Sequence, residues 1–416
     1  MKTIQEANDD VLERLRLAEP RLVDVKTVSE IVPDADAHTL YHAGPPITWE
    51  SMSGPMKGAV YAALMYEEIA SSPDEAEKIA AAGGIRFQPC HEVGIVGPMT
   101  GITSWSMPLY VVNNQKYGNF AYSTINEGMG NVIRFGAYEA ETVDRLKWIE
   151  KSYAPVLKEV IHREEGIDLV SFIGKALQMG DELHMRNIAS TVMFRDFLYA
   201  RLVELDLPLT ILREIAAFLS GKNDQLFLNL VMAANKAAAD AADGIFPSSI
   251  VTAIARNGYE VGIRISGLPG RWFTTLAPPV DALFFPGFSQ EDACPDIGDS
   301  AILEVLGMGA FAMGVAPGLV PFLGMHGAEN ALATTEAMYE ICHGEHDRYR
   351  SAFNGERGLP LGIDIMKVVE LQRSPKINTA VASKEAGVGM IGAGVSEVPL
   401  QPFVDALVAL DEAIQN

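Results

Sequence analysis

The sequence predicts an α+β protein of several subdomains, in which mixed, strand-rich parts flank an all-helical insert. Three changes of hydrophobic period predict it. Short extended runs broken by Gly, Pro and Asn occupy 84–125, apolar residues recur at helical spacing from about 128 to 242, and strand patterns return after Gly244. The changes divide the chain into an acidic N-terminal lobe plus strand-rich segment (1–127), a helical subdomain (128–242) and an α+β C-terminal domain (243–416).

In chain order, MKTIQEANDDVLERLRL is an amphipathic helix near 4–17, and it lacks the basic and apolar blocks of a secretory signal. A second helix is expected near 55–70, after the Pro- and His-rich loop PDADAHTLYHAGPP. Residues 1–80 hold 7 Lys+Arg against 15 Asp+Glu, which marks this lobe as acidic. IRFQPCHEVGIV, SMPLYVVNN and NFAYSTI follow as strands. Pro155 and Pro208 stand where helices of the insert begin. SSIVTAIAR and YEVGIRIS then flank Asn257-Gly258, the pair preferred by a two-residue hairpin turn. Helices near 300–308, 328–342 and 400–414 alternate with the strands GLPLGIDIMKVV and KINTAVA.

With 48% apolar and 21% charged residues among 416, the chain is a soluble globular protein. The charge of 32 − 54 = −22 sets a repelling field against nucleic acid and anionic membranes. Cys90, Cys294 and Cys342 are odd in number and far apart, which suits thiols in a reducing compartment and places the chain in the cytoplasm. Val305 to Met325 is 21 residues without a charge, long enough for a membrane span. Five glycines and two prolines there would free too many backbone groups in lipid, so a buried core segment is expected.

Several motifs invite chemistry. Gly387 to Gly394 has the letters of a dinucleotide fingerprint but is followed by Pro399 rather than a long helix, so no cofactor is expected. Neighbours on an extended run face opposite ways, so Cys90 and His91 should not pair, and His91 stands as a polar site residue or a structural histidine. Gly180 to Asn187 should begin a helix with Asp181 at its N-cap; His184, Arg186 and Asn187 then face either a ligand or a neighbouring helix. The His38/His42 and His343/His346 pairs have ligand spacing without further ligands, so no metal site is expected. Arg86, Arg134, Arg256, Arg264 and Arg271 lie in apolar or glycine-rich segments, where a guanidinium needs an acid such as Glu127, Asp243 or Asp299, or an anionic ligand. Arg264 is the favoured ligand contact, because Gly262, Ser266 and Gly267 let a ligand approach the backbone. Asp296 and Asp299 precede a helix start, with capping as the plainer reading.

Ten ordered phrases, among them RFQPCHEVGIVGPMTGI, NEGMGNVIRFGAY, QMGDELHMRN, IVTAIARNG, GIRISG and PDIGDSA, resemble the YlbE-like (AllG-like) bacterial family over about residues 40–410. The resemblance implies a subunit similar to those of oxamate carbamoyltransferase, which interconverts oxalurate plus phosphate with oxamate plus carbamoyl phosphate. It implies an FdrA-like partner, similar to an acyl-CoA synthetase, a small companion subunit and a small anionic substrate, and it leaves homo-oligomerisation open. On that basis Arg264, Arg256 and Arg134 would surround the anion, with Ser266, Gly267, Asn187 and Asp299 beside it. His91 or His184 would manage the nitrogen proton. A non-catalytic binding or scaffold subunit is the alternative. Residues 86–92, 181–187 and 256–267 are expected to converge on one cleft.

Overall fold

In the computed structural model, which describes residues 2–221, 223–351 and 355–416, the strands gather into several separate sheets. Pro20–Thr27 pairs antiparallel with Pro108–Asn114 and with Ile167–Asp168, and Phe120–Thr124 completes the four strands. Ile167–Asp168 lies inside the helical segment, and two residues are too few to leave a period in the sequence. A second four-stranded sheet runs in the order Ile297–Gly298, Val251–Asn257, Glu260–Ile265 and Phe273–Leu276. Lys376–Ala382, Met390–Glu397 and Asp281–Phe284 form a third sheet.

The α+β class is therefore as read, with local differences that have physical causes. The hairpin tip is Gly258-Tyr259 rather than Asn257-Gly258. Asn257 ends its strand and its side-chain oxygen accepts the amides of Tyr259 and Glu260 at 3.0 and 2.6 Å, a side-chain turn that leaves only Gly258 at positive φ. Gly392 and Gly394 lie in the strand Met390–Glu397, with Gly387 and Gly389 before it at positive φ, and a Cβ at Gly394 would fall 2.0 Å from the Asp281 carbonyl oxygen. Close strand approach explains that glycine, not a phosphate loop. Pro155 is the second residue of Ala154–Arg163, which continues directly from the π-helical turn Ile149–Tyr153; the wider turn relieves the clash a proline ring makes with the preceding turn.

Residues from all three sequence segments share one hydrophobic core. At its centre runs the helix Leu228–Ala241, in which every residue except Asp240 is buried. Alanines at 233, 234 and 237–239 keep that helix thin, so it packs closely against both the first sheet and Val251–Asn257. Its polar residues Asn229, Asn235 and Lys236 are thereby buried and must find partners inside the protein. The glycine-rich 305–325 segment folds as short turns, of which Gly309–Val315 is buried as expected, while Pro317–Leu323 buries only Leu319, Val320 and Leu323 and exposes Phe322. Among the described residues no helix is long and apolar enough to cross a membrane.

Candidate functional site

Gly180 to Asn187 is an irregular turn, and the helix begins only at Ile188, with Asn187 in the N-cap position. Two carboxylates take the place of helical bonding. Glu182 accepts the backbone amides of His184, Met185 and Arg186, while Asp181 accepts the amide and hydroxyl of Ser190 at 2.8 and 3.0 Å. Leu183 sits at φ 73° to make the turn. Helical spacing of Asp181, His184 and Asn187 thus does not apply; the acids cap the backbone from below instead.

This turn presses the His184 ring onto Glu304, whose oxygens lie 2.8 and 3.0 Å from Nδ1. Glu304 is fully buried and also accepts the amides of Ala310 and Asn378 at 3.1 and 3.2 Å. A carboxylate acceptor puts the proton on Nδ1 and leaves Nε2 as the basic nitrogen. Burial pushes Glu182 up to about 7 and Asp181 upward as well, so this acid-rich corner carries less negative charge than its formula.

Met185, Arg186 and Asn187 form one wall of a groove of about 350 Å³, with Met129, Gln225 and Phe322 opposite. Asn187 donates to the His184 carbonyl at 3.0 Å, while its Oδ1 is buried without a donor. Asn223 Oδ1 is likewise buried and undonated. Arg134 is split between core and groove. One guanidinium nitrogen meets Glu127 at 2.9 Å and Asn126 at 2.8 Å; the other reaches only Met129 sulfur at 3.3 Å and Gln225 at 3.5 Å, both on the groove wall. Arg186, about one third exposed, is 3.6 Å from Asp181. Arg186 and Asn187 thus line the groove, while Arg134 touches it through Met129 and Gln225, and Asn223 precedes the lining residue Asp224.

A second polar cluster surrounds His91. Cys90–Val93 is a 3₁₀ turn rather than an extended run, and it still separates the two side chains: the Cys90 thiol donates to the Gly101 carbonyl at 3.3 Å. His91 lies edge-on to Trp272 with ring centroids 5.5 Å apart, and its Nε2 is 3.5 Å from Asp299. Neither ring nitrogen makes a hydrogen bond. Asp299 accepts the amides of Gly44 and Gly97 at 2.8 and 3.1 Å; burial nevertheless pushes it up to about 7. Burial, then Lys236 and Arg264, hold His91 well below the usual imidazole range. Lys236 is buried, binding Asp240 at 2.6 Å and the His91 carbonyl at 3.5 Å.

The arginines now separate. Arg256 is committed, with Asp296 at 3.0 and 3.2 Å and the Gly298 carbonyl at 2.6 Å. Arg264 has ion pairs of 3.7 Å to both Glu92 and Asp243, and among the described residues it makes no hydrogen bond. Ser266 donates to the Ala242 carbonyl at 2.6 Å, and a Cβ at Gly267 would fall 2.4 Å from the Ser248 carbonyl oxygen, so the 242–248 loop fills the space beside both. His91, Asp299 and Arg264 thus come together, with Arg256 behind them. Asn187 lines the groove instead, Arg134 reaches two of its residues, Met129 and Gln225, and His184 is next in sequence to Met185 on its wall. Asn229, which anchors Asn126 behind the groove at 2.9 Å, and Lys236 share one helix. Their spacing of seven residues sets these two residues about 10 Å apart along one face.

Glu182, Asn223, Gln225, Lys236, Trp272 and Glu304 are not among the sequence-derived candidates. Lys236 had a readable signal, as a charge in an alanine-rich helix. Glu304 had none, since AILEVLG reads as ordinary core. Among the described residues no group of three or more His, Cys, Asp or Glu is placed to hold a metal.

Comparison with known proteins gives one consistent result. A family described as oxamate carbamoyltransferase subunit AllG matches residues 85–300. The chain is 45% identical over 414 residues to the Escherichia coli (strain K12) protein named oxamate carbamoyltransferase subunit AllG, covering 99% of each. It is 43% identical over 404 residues to the uncharacterized protein YahG of the same strain, covering 97% of this chain and 85% of that one. A crystal structure of a conserved protein of unknown function from Enterococcus faecalis V583 superposes with TM-score 0.96 at 42% identity, covering 98% of both chains.

Proposed function

This chain belongs to the oxamate carbamoyltransferase subunit AllG family, and from that premise we propose that it is a catalytic subunit of a carbamoyltransferase complex. Its substrates are a small amide acid of the oxamate kind and carbamoyl phosphate in one direction, and a ureide acid of the oxalurate kind and phosphate in the other. The groove holds the acid: Arg186 on its wall, with Arg134 behind Met129, takes the carboxylate, while Asn187 accepts the amide N–H groups. His184 Nε2 removes the nitrogen proton as that nitrogen attacks the carbamoyl carbon; the carbon–oxygen bond to phosphate breaks and phosphate leaves with the electron pair. What supports this reading most is the His184–Glu304 pair, one residue before the groove-lining Met185, together with a groove residue, Asn187, whose side-chain oxygen has no donor. Of the two histidine candidates, His184 has its ring aimed by a carboxylate, and His91 does not.

The partners in this reading are an FdrA-like protein and a small companion subunit, and the setting is the cytoplasm, where the three free buried cysteines would stay reduced. The test is turnover by the complex reconstituted with those partners. His184→Ala is expected to lower kcat by roughly 10²- to 10⁴-fold, the usual contribution of a general base. Asn187→Ala is expected to act mainly on KM for the acid. If both variants assemble normally and turn over at the wild-type rate, the chain is a non-catalytic binding or scaffold subunit.

A further inference from the structure

The third sheet ends in a strand with one side unpaired. Asp281–Phe284 stands at its edge, with Met390–Glu397 as its one strand neighbour among the described residues. The Phe285 amide donates to the Ile391 carbonyl at 2.8 Å, and the ladder leading to it has no register shift. Alternate residues of an antiparallel strand bond to opposite sides, so Asp281, Leu283 and Phe285 turn their backbone groups toward Met390–Glu397. The amides and carbonyls of Ala282 and Phe284 therefore point out of the sheet edge. Pro317–Leu323 packs against both Asp281–Phe284 and Met390–Glu397, and so lies on a face of the sheet rather than along that edge.

We propose that this edge binds a second copy of the chain, the two Asp281–Phe284 strands pairing antiparallel across a two-fold axis and joining their sheets into one. Edge strands are ordinarily protected by lysine, proline, a bulge or a covering element. Asp281–Phe284 carries no lysine, proline or bulge, and Leu283 is 51% exposed. Residues 282–290 are uncharged, nine in a row in a chain of net charge −22, and the run also exposes Phe285 and Phe288. Two such acidic molecules can meet only where acid does not face acid, and the register meets that condition. Ala282 and Phe284 exchange bonds with Phe284 and Ala282 of the second copy, which centres the axis on Leu283. Leu283 then faces Leu283, and Asp281 faces Phe285, so the one acid of each strand is not opposite its own copy.

The pairing does not rest on the transferase reading. Sedimentation velocity of the full chain over a range of concentrations tests it, with oxidative cross-linking to report the register. The wild type is expected to dimerise. Leu283→Lys should weaken the dimer by about 100-fold or more, because two ammonium groups would meet on the axis. Ala282→Pro removes an amide donor that the ladder with Met390–Glu397 does not use, and the loss of one bond from each copy should weaken the dimer by about 10-fold. On the axis the two Leu283 Cα atoms stand about 4.5 Å apart, within disulfide reach, so Leu283→Cys should give a covalent dimer on mild oxidation. Phe285→Cys, opposite Asp281, should not, and the three native cysteines are buried. A wild type that stays monomeric overturns the proposal, as does a dimer that survives in both folded variants, or one cross-linked through Phe285→Cys but not Leu283→Cys. A monomeric wild type whose Leu283→Lys variant no longer assembles with a different subunit would give the edge to that subunit and overturn it as well.

Discussion

His91 and His184 are both buried beside a carboxylate, and the two regions treat that pair in opposite ways. Glu304 touches His184 directly and has its spare lone pairs filled by backbone amides, so the imidazole has one tautomer and one orientation. Asp299 spends its oxygens on the amides of Gly44 and Gly97 and leaves His91 at 3.5 Å without a bond. One arrangement fixes an imidazole; the other leaves both ring nitrogens without a hydrogen bond. The arginines repeat the contrast. Arg134 is anchored at one nitrogen and offers the other to the groove, whereas Arg264 is loosely paired at both ends.

The largest effect expected from this contrast is on folding. Glu304→Ala would strand the His184 ring and the amides of Ala310 and Asn378, and removing one partner of such a buried network costs about 3–5 kcal/mol. Asp299→Ala would strand two amides but no ring bond, so a smaller loss of about 1–3 kcal/mol is expected. Urea unfolding of the two variants compares them. A loss for Asp299→Ala equal to that for Glu304→Ala would mean that His91 depends on its acid as much as His184 does.

Next in size is the arginine pair. Arg134→Ala leaves Glu127 buried without its 2.9 Å partner and should destabilise by about 3 kcal/mol. Arg264→Ala breaks only two long pairs near the surface of the cluster, for which about 1 kcal/mol or less is expected. Chemical denaturation checks both. A large loss at Arg264 would make that residue a structural tie and remove the reason for regarding its donors as available.

How much of this was legible beforehand follows from where the information resides. Ile4–Leu17, the 251–265 hairpin and Lys376–Ala382 were readable because local period and turn chemistry specify them. His184, Asn187 and Arg134 could be singled out as polar groups in apolar phrases, which is a local property as well. Their partners could not. Glu304 meets His184 across 120 positions and Gln225 meets Arg134 across 91, and no period encodes such pairings. Which residues group together is hidden for the same reason: Asn229 and Lys236 look alike as polar residues on one alanine-rich helix, yet one bonds Asn126 and the other Asp240.

The finest comparison is of pH dependence, where the groove side should carry one sign and the His91 side two opposing contributions. On the groove side Glu182, pushed up to about 7, and Asp181, pushed upward, both hold protons in the folded state that the unfolded chain has released. Their contribution to stability is complete below the usual carboxylate pKa of about 4 and is lost as pH rises toward 7. The His91 side contains opposing groups. Asp299, at about 7, behaves as Glu182 does, but His91 is held neutral, so its contribution is complete above the usual imidazole pKa of about 6.5 and is lost as pH falls. Glu182→Gln should therefore flatten the decline of Tm between about pH 4 and 7, Asp299→Asn should do the same, and His91→Gln should steepen it. Shifts on the order of 1–3 °C are expected for a chain of this size. Calorimetric Tm at successive pH values, taken as variant minus wild type, cancels the background from His42 and His346, which burial also lowers to about 4. A His91→Gln curve parallel to wild type would mean that the imidazole is free to take up protons in the folded protein, and that a bonding partner satisfies its ring nitrogens.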